Sequence, residues 1–311
     1  MAGERGVSAA GQEAARRCGF VALIGAPNAG KSTLLNALVG QKVSIVSRKA
    51  QTTRALVRAI SIEGEAQIIF VDTPGIFMPK RRLDRAMVTS AWSGAGDADL
   101  VSLLVDARKG VDDEVASILD RLAEEPRRKF LILNKTDVLA DKAALIPLAA
   151  KLNERLAFEE TFMVSALTGD GVAELRRAFA SRMAPGPWHY PEDQLSDMPM
   201  RMMAAEITRE KIYDRLHEEL PYRSTVETTS FEAARGGAVR IEQTIYVERE
   251  SQRKIVLGKG GQTIKAIGAA ARRELEDIIE SRVHLFLFVK VRENWSEDPE
   301  RYREMGLEFP R

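Results

Sequence analysis

Apolar residues along this chain fall into short continuous runs and into stretches with helical spacing, and the alternation of the two marks out its elements. Phe20–Ile24, Leu100–Val105, Lys129–Leu133 and Thr161–Val164 are strand-like runs. The middle two are apolar on both sides of the pleat, as in parallel strands buried between helices. Leu56–Ile62 and Ala66–Val71 flank Glu63-Gly64-Glu65, a hairpin signal. Helical spacing covers Thr33–Val39 and Val172–Met183, whereas Gly40–Arg54 is polar without a period and predicts an exposed connection. Strands alternating with helices predict an α/β unit with a mostly parallel sheet covered on both faces, the hairpin adding one antiparallel strand.

The pattern breaks at Ala184-Pro185-Gly186-Pro187-Trp188-His189-Tyr190-Pro191, where prolines forbid a helix and a central strand. Beyond it lie a helix over Arg201–Glu219 closed by Leu220-Pro221, then two alternating strands, Ser224–Phe231 and Ala238–Val247, around Arg235-Gly236-Gly237. Ile255–Leu257 and Gly258-Lys259-Gly260-Gly261 follow, then a helix over Gln262–Ser281 and a strand over Val283–Val291. The order helix, strand, strand, Gly-x-x-Gly, helix, strand predicts a smaller α+β domain of the type II K-homology (KH) arrangement. The expected division is a disordered N-terminal extension over 1–17, a nucleotide domain over 18–183, a linker over 184–199 and an RNA-binding domain over 200–311.

Composition adds little. With 311 residues, 45% hydrophobic, and a net charge of +1, the chain reads as an ordinary globular protein with room for two cores. Cys18 is its one cysteine, so no intrachain disulfide can form, which suits a reducing cytoplasm. No apolar run approaches the roughly 18 residues of a membrane span, and residues 1–17 lack the apolar centre of a secretory signal.

The chemistry is concentrated in spaced motifs. Gly25-Ala26-Pro27-Asn28-Ala29-Gly30-Lys31-Ser32 lies between a strand and a helix, the context of a phosphate-binding loop. Its backbone N–H groups and the following helix N-terminus cradle phosphates, with Lys31 reaching the β- and γ-phosphates and Ser32 offering its hydroxyl to Mg²⁺. In Ser47–Arg54 a mobile loop would present a threonine, Thr52 or Thr53, to the same ion. Asp72-Thr73-Pro74-Gly75 ends a buried strand, so Asp72 is placed to hold Mg²⁺ and Gly75 to turn its N–H toward a γ-phosphate. Ile76 stands where Ras-type switches have a glutamine that orients water; slow intrinsic turnover, on the order of 10⁻³ s⁻¹, is expected. Asn134-Lys135-Thr136-Asp137 at a strand end selects guanine. Asp137 accepts from its ring N–H and exocyclic amine, donors adenine lacks, and sites of this kind discriminate by roughly 10⁴ to 10⁵. Asn134 and Lys135 would support the base from its other edge and its face, and the backbone of Ser165-Ala166-Leu167 would touch its carbonyl.

In the second domain, charge balances at 20 Lys plus Arg against 20 Asp plus Glu from Met200 onward. Ser251–Arg273 nevertheless carries Arg253, Lys254, Lys259, Lys265, Arg272 and Arg273 without one acid. Positive charge gathered around Gly258, Gly260 and Gly261 is the local footprint expected for a clamp on about four unpaired nucleotides.

These motifs, with Gln51-Thr52-Thr53-Arg54, Glu206–Lys211 and Glu219-Leu220-Pro221-Tyr222, resemble the bacterial Era-like GTPase family over nearly the whole chain beyond residue 17. The resemblance implies a GTP- and GDP-binding GTPase that acts in 30S subunit maturation and binds single-stranded RNA near the 3′ end of 16S rRNA. It implies a cytoplasmic monomer with a peripheral inner-membrane fraction, and a K⁺ ion held by Asn28. Both Thr52 and Thr53 match its switch. GTP and Mg²⁺ are expected to order Gln51–Arg54 and Asp72–Ile76 and to alter how the two domains face each other. The other reading is a GTP-dependent signalling switch whose second domain binds protein.

Overall fold

The computed structural model describes residues 15–47, 49, 53, 54, 56–217 and 220–310, the Glu304 side chain excepted. Its larger sheet contains β1 (Arg17–Gly25), β2 (Val57–Glu63), β3 (Ala66–Asp72), β4 (Leu100–Asp106), β5 (Arg128–Asn134) and β6 (Glu160–Met163), in the order β2-β3-β1-β4-β5-β6. All neighbours are parallel except β2 and β3, the foreseen hairpin. Helices α1 (Lys31–Val39) and α5 (Val172–Arg182) cover one face; α2 (Arg82–Gly96), α3 (Asp113–Leu122) and α4 (Leu145–Arg155) cover the other. On the first face Phe179 of α5 lies edge-on to Phe70 and stacked against Phe130, at 5.4 and 5.5 Å between ring centroids. Because β1, β3 and β5 run the same way, Gly25, Asp72 and Asn134 emerge together at their carboxyl ends, where open α/β sheets bind ligands.

The smaller sheet has the order β10-β9-β8, from β8 (Ser224–Ala233), β9 (Val239–Val247) and β10 (Val283–Val291); β9 is antiparallel to β8 and parallel to β10. Helices α6 (Met200–Arg215) and α8 (Gln262–Ile279) bury Ile207, Ile212, Ile267 and Leu275 against one face of it. No helix among the described residues is long and apolar enough to cross a membrane.

Several expectations need correction. Arg17 already belongs to β1: its N–H donates to the Glu65 carbonyl and its guanidinium to the Met183 carbonyl, so only residues 1–14 of the expected extension lie outside the described residues. The proline-rich stretch is not a loose linker. Ala184–Pro185 forms a short β7 beside the start of β1, and farther on Ile60 donates to the Leu195 carbonyl, strapping the segment along β2. A helix absent from the sequence reading, α7 (Glu250–Leu257), contains Ile255–Leu257 and precedes the glycine loop. Helix α6 ends at Arg215, short of the expected Glu219.

Gly40–Arg54 is the largest departure. Val43, Ser44, Ile45, Thr53 and Arg54 are buried, and Ile45 joins the core of the small domain beside Met203 and Ile207. The chain end also returns to the large domain. Trp295, Tyr302 and Leu307 pack on Leu83, Ala86 and Met87 of α2.

Candidate functional site

Between β1 and α1 the loop turns through left-handed backbone at Asn28 (φ 62°) and Gly30 (φ 102°). A Cβ at Gly30 would stand 2.3 Å from the Asn134 side-chain nitrogen, so only glycine lets the loop pass beneath the end of β5. Lys31 is buried inside the loop and donates to the carbonyls of Gly25 (2.9 Å) and Ala26 (3.1 Å). Burial pulls its pKa down to about 8, against the opposing pull of Asp72 and Glu114.

Three hydroxyls converge on one carboxylate oxygen. Ser32, Ser44 and Thr53 lie 3.0, 2.9 and 3.3 Å from Asp72 Oδ2, and the Ser32 and Thr53 hydroxyls are 2.9 Å apart. Asp72 Oδ1 is buried and has no hydrogen-bond partner among the described residues. Desolvation raises the pKa of this carboxyl; Lys31 and the three hydroxyls work against the rise. A buried carboxylate with an orphaned oxygen among hydroxyls is a hard-oxygen donor set, and it fits Mg²⁺. Thr53 is the threonine brought there. Thr52 lies outside the described residues. Ser44, a single serine in an aperiodic stretch, carried no signal in the sequence.

The loop after β3 is folded onto the phosphate loop. Gly75 sits so near Pro27 that a Cβ would meet its backbone at 3.0 Å, and Ile76 N–H donates to the Gly25 carbonyl at 3.1 Å. The Ile76 side chain is buried in the core under α2. Pro74 and Thr73 are buried too. The Thr73 hydroxyl donates to the Leu23 carbonyl at 2.7 Å, so that side chain ties β3 to β1 instead of facing the cleft.

In the guanine motif, Asn134 makes two bonds within the protein. Its amide nitrogen donates to the Ala29 carbonyl (2.9 Å) and its oxygen accepts from Ala166 N–H (3.0 Å), so it joins the phosphate loop to the loop after β6. Lys135 donates to the Asn28 carbonyl (2.5 Å) and Asp106 (2.7 Å). Although burial resists the charge, that ammonium helps hold the Asp106 carboxyl below its usual range. Asp137 is exposed, with one oxygen 2.6 Å from the Ser165 hydroxyl. Thr136 is buried and its N–H goes to the Val164 carbonyl, while Leu167 projects into solvent.

The segment that brings Thr53 to this site is gripped by the small domain. Lys42 pairs with Glu210 (2.7 Å) and Glu274, and Val46 N–H donates to Glu210. Lys49 reaches the Tyr213 and Leu216 carbonyls at the end of α6. The Arg54 guanidinium donates to the carbonyls of Ser224 (2.9 Å) and Pro221 (3.3 Å) and to Tyr213 Oη (3.2 Å), and lies over the Trp295 ring. On the opposite side Arg82, opening α2, pairs with Glu297 at 2.7 Å.

At the glycine loop, Gly258, Gly260 and Gly261 all have positive φ, and a Cβ on Gly258 would collide with Thr263 at 2.2 Å. Lys259 and Gly260 are exposed at the tip. Beside them a groove of about 350 Å³ runs between α8 and β10. Ile264, Gly268, Leu285 and Leu287 form its floor, with Lys265 and Arg272, about two turns apart on α8, exposed at the rim. Gly268 permits the close approach, since a Cβ there would press on Leu287 at 3.3 Å. Of the other basic candidates, Lys254 is exposed on α7, whereas Arg253 bonds Glu250 and the Val289 carbonyl. Arg273 faces away, beside Asp214 and Asp277 near the end of α6. The groove floor escaped the sequence reading because leucine and isoleucine at core spacing look the same whether or not a helix covers them.

Residues 20–135 match the family described as 50S ribosome-binding GTPase, and residues 219–296 match the KH domain. The GTPase Era of Bradyrhizobium sp. (strain ORS 278) is 68% identical over 299 residues, covering 96% of this chain and 97% of the relative. That of Brucella suis biovar 1 is 64% identical over 294 residues, 94% of either chain. Among solved structures, an Aquifex aeolicus Era variant bound to GDP and aluminium fluoride superposes with a TM-score of 0.89 at 37% identity, covering 93% of this chain and 99% of that one. An Era structure with MgGDPNP and nucleotides 1506–1542 of 16S ribosomal RNA gives the same score and identity, covering 94% and 99%.

Proposed function

The chain belongs to the Era GTPase family and hydrolyses GTP, and on that premise we propose that it binds unpaired 16S rRNA during small-subunit assembly. In this reading the turn from Gly25 to Ser32 holds the phosphates, Lys31 carries the charge facing them, and Asp137 with the Ser165–Leu167 backbone reads guanine. Ser32, Thr53 and Asp72 would hold Mg²⁺, which when bound would supply positive charge to the phosphates. Lys31 is already desolvated, so its ammonium gains from a phosphate partner more than an exposed lysine would. Asn28, exposed on the cleft in left-handed backbone, is the residue for a K⁺ ion beside the same phosphates. Ile76, turned into the core, leaves water orientation to another group.

The RNA reading draws support from the groove between α8 and β10, whose apolar floor and basic rim suit bases and phosphates respectively. Its counterpart in a relative is the complex with nucleotides 1506–1542, the 3′-terminal stretch of 16S rRNA. One observation joins the two sites: the segment carrying Thr53 is held between Asp72 and α6. A ligand that holds Thr53 more tightly in one nucleotide state than in another would bias the small domain through this segment, and RNA affinity would follow nucleotide state only through that differential.

The test is RNA binding by the full chain with a GTP analogue, GDP and no nucleotide, using nucleotides 1506–1542 as probe. Affinities that differ among the three states support the coupling. No binding in any state overturns the RNA reading and leaves a protein partner for the second domain.

A further inference from the structure

Strand β10 is the free edge of the small sheet and carries two unlike faces. Leu285 and Leu287 look toward α8 and form the groove floor. His284, Phe286, Phe288 and Lys290 alternate with them onto the opposite face, where the helix Pro299–Glu304 reaches the neighbouring strands through Arg301, over Tyr246 and paired with Glu227, while Phe286 and Phe288 stay half exposed. Phe286 and Phe288 are 45% and 49% exposed, which for two phenylalanines on one strand is far from core packing.

We propose that this outer face is a second nucleotide-binding surface, on which Phe286 and Phe288 each stack one unpaired base of the RNA that leaves the groove. The proposal rests on the RNA reading above. A glycine-loop clamp of this type holds about four nucleotides, so a longer RNA has to continue beyond the groove, and the free edge of β10 is one side-chain layer from both rings. Residues two apart on a strand stand about 6.6 Å apart, close to twice the 3.4 Å rise between successive bases of one strand. Two rings at that spacing match bases two steps apart. The same arrangement of exposed aromatics on an open sheet is how other RNA-binding sheets hold bases.

The surrounding charges agree with this occupant. Arg240, next to β10 on β9, holds its guanidinium over one face of the Phe286 ring, 5.2 Å from its centre, so a base stacks on the ring's other face or on the flat cation itself. His284 and Lys290 are exposed at the two ends of the row. The acids nearest the rings are Glu242, already paired with Arg240, and Glu232, directly across from Arg240 on β8. Phe288 lies opposite Thr244, and the acid beyond it, Glu227, pairs with Arg301 at 2.7 Å; Lys290 lies opposite Tyr246.

The test compares wild type, Phe286→Ala/Phe288→Ala, Phe288→Trp and Gly260→Asp on nucleotides 1506–1542 and on fragments trimmed to the shortest that binds. Loss of a stacked base weakens binding about tenfold per ring. The double variant should therefore lose about a hundredfold on the long RNA and nothing on the shortest, while Phe288→Trp binds as wild type with its indole fluorescence quenched by RNA. Gly260→Asp should weaken both RNAs, because its carboxylate meets the phosphates in the groove. Equal binding of the long RNA by the double variant and wild type overturns the proposal while sparing the groove. Failure of wild type to bind either RNA overturns both, and a wild-type dimer that the double variant converts to monomer assigns the face to a second copy of the chain.

Discussion

Thr53 and Arg54 are neighbours in the chain and belong to different domains' chemistry. The Thr53 hydroxyl lies 2.9 Å from that of Ser32 at the proposed Mg²⁺ site, while the Arg54 guanidinium is buried among the Ser224, Pro221 and Tyr222 carbonyls of the small domain. A single peptide bond thus joins the proposed Mg²⁺ site to the small domain. Burial lowers the Arg54 pKa, and its hydrogen-bond acceptors among the described residues are neutral oxygens, so the fork is held by geometry more than by charge. Arg54→Ala strands several buried carbonyls and is expected to destabilise the fold by about 2 to 4 kcal/mol. Arg54→Lys, which keeps the charge without the fork, should preserve GDP affinity yet shrink the difference in RNA affinity between GTP analogue and GDP. Calorimetric GDP binding together with RNA titration in both states checks this; an undiminished difference would show that the two domains communicate elsewhere.

Asp72 illustrates the opposition between stability and function. Its carboxyl is fully buried, one oxygen has no hydrogen-bond partner among the described residues, and desolvation raises its pKa. For a raised carboxyl the sign is clear: the stability it supports is present below the unfolded value of about 3.9 and declines as pH rises through the folded value, because ionisation inside the fold is unfavourable. Asp72→Asn removes that charge. In the absence of Mg²⁺ and nucleotide it should melt at a higher temperature than wild type at neutral pH, and it should lose GTP turnover by at least about a hundredfold. A lower melting temperature would mean that Asp72 is compensated better than its surroundings indicate.

Much of this was legible in sequence because each motif sits at a strand end, where the buried apolar run fixes the register and the next residue has to emerge at the sheet's edge. Gly25, Asp72 and Asn134 follow such runs, and the structure gathers them. What stayed hidden arises from contacts across long separations. Gly40–Arg54 reads as solvated because its polar residues find partners only when Glu210, Tyr213 and Ser224, some 160 residues away, come alongside. The bonds that Asn134 makes to Ala29 and Ala166 were hidden for the same reason, since both become its neighbours only through the sheet order. Helix α7 eluded the pattern because its eight residues give barely two turns, too few for a period to stand out from Ile255–Leu257 alone.

In the proposed reading base selection falls to Asp137, exposed at the end of the motif with the Ser165 hydroxyl 2.6 Å away. Asp137→Asn replaces one carboxylate acceptor by a donor. Affinity for GDP should fall by two orders of magnitude or more, and xanthosine diphosphate, whose added carbonyl accepts from the new amide, should bind better than GDP. Competition with a fluorescent nucleotide measures the ratio. A variant that still prefers GDP would place the base away from Asp137.

Lys31 makes nucleotide binding sensitive to alkali. Its folded pKa of about 8 lies below the unfolded value near 10.4, so the nucleotide-free fold has shed a proton over the interval between them. A depressed lysine contributes stability that is complete above the unfolded value and is lost as pH falls through the folded one, so the nucleotide-free chain should gain stability from pH 8 toward pH 10. Phosphates reverse the preference, because they favour the ammonium. GDP binding near pH 8.5 should therefore take up a fraction of a proton, and affinity should decline as pH rises past 8. Titration calorimetry in two buffers of different ionisation enthalpy reads the uptake directly. Lys31→Arg, charged throughout, should lose the uptake even where it binds weakly, and equal proton uptake in variant and wild type would move the titrating group to another residue.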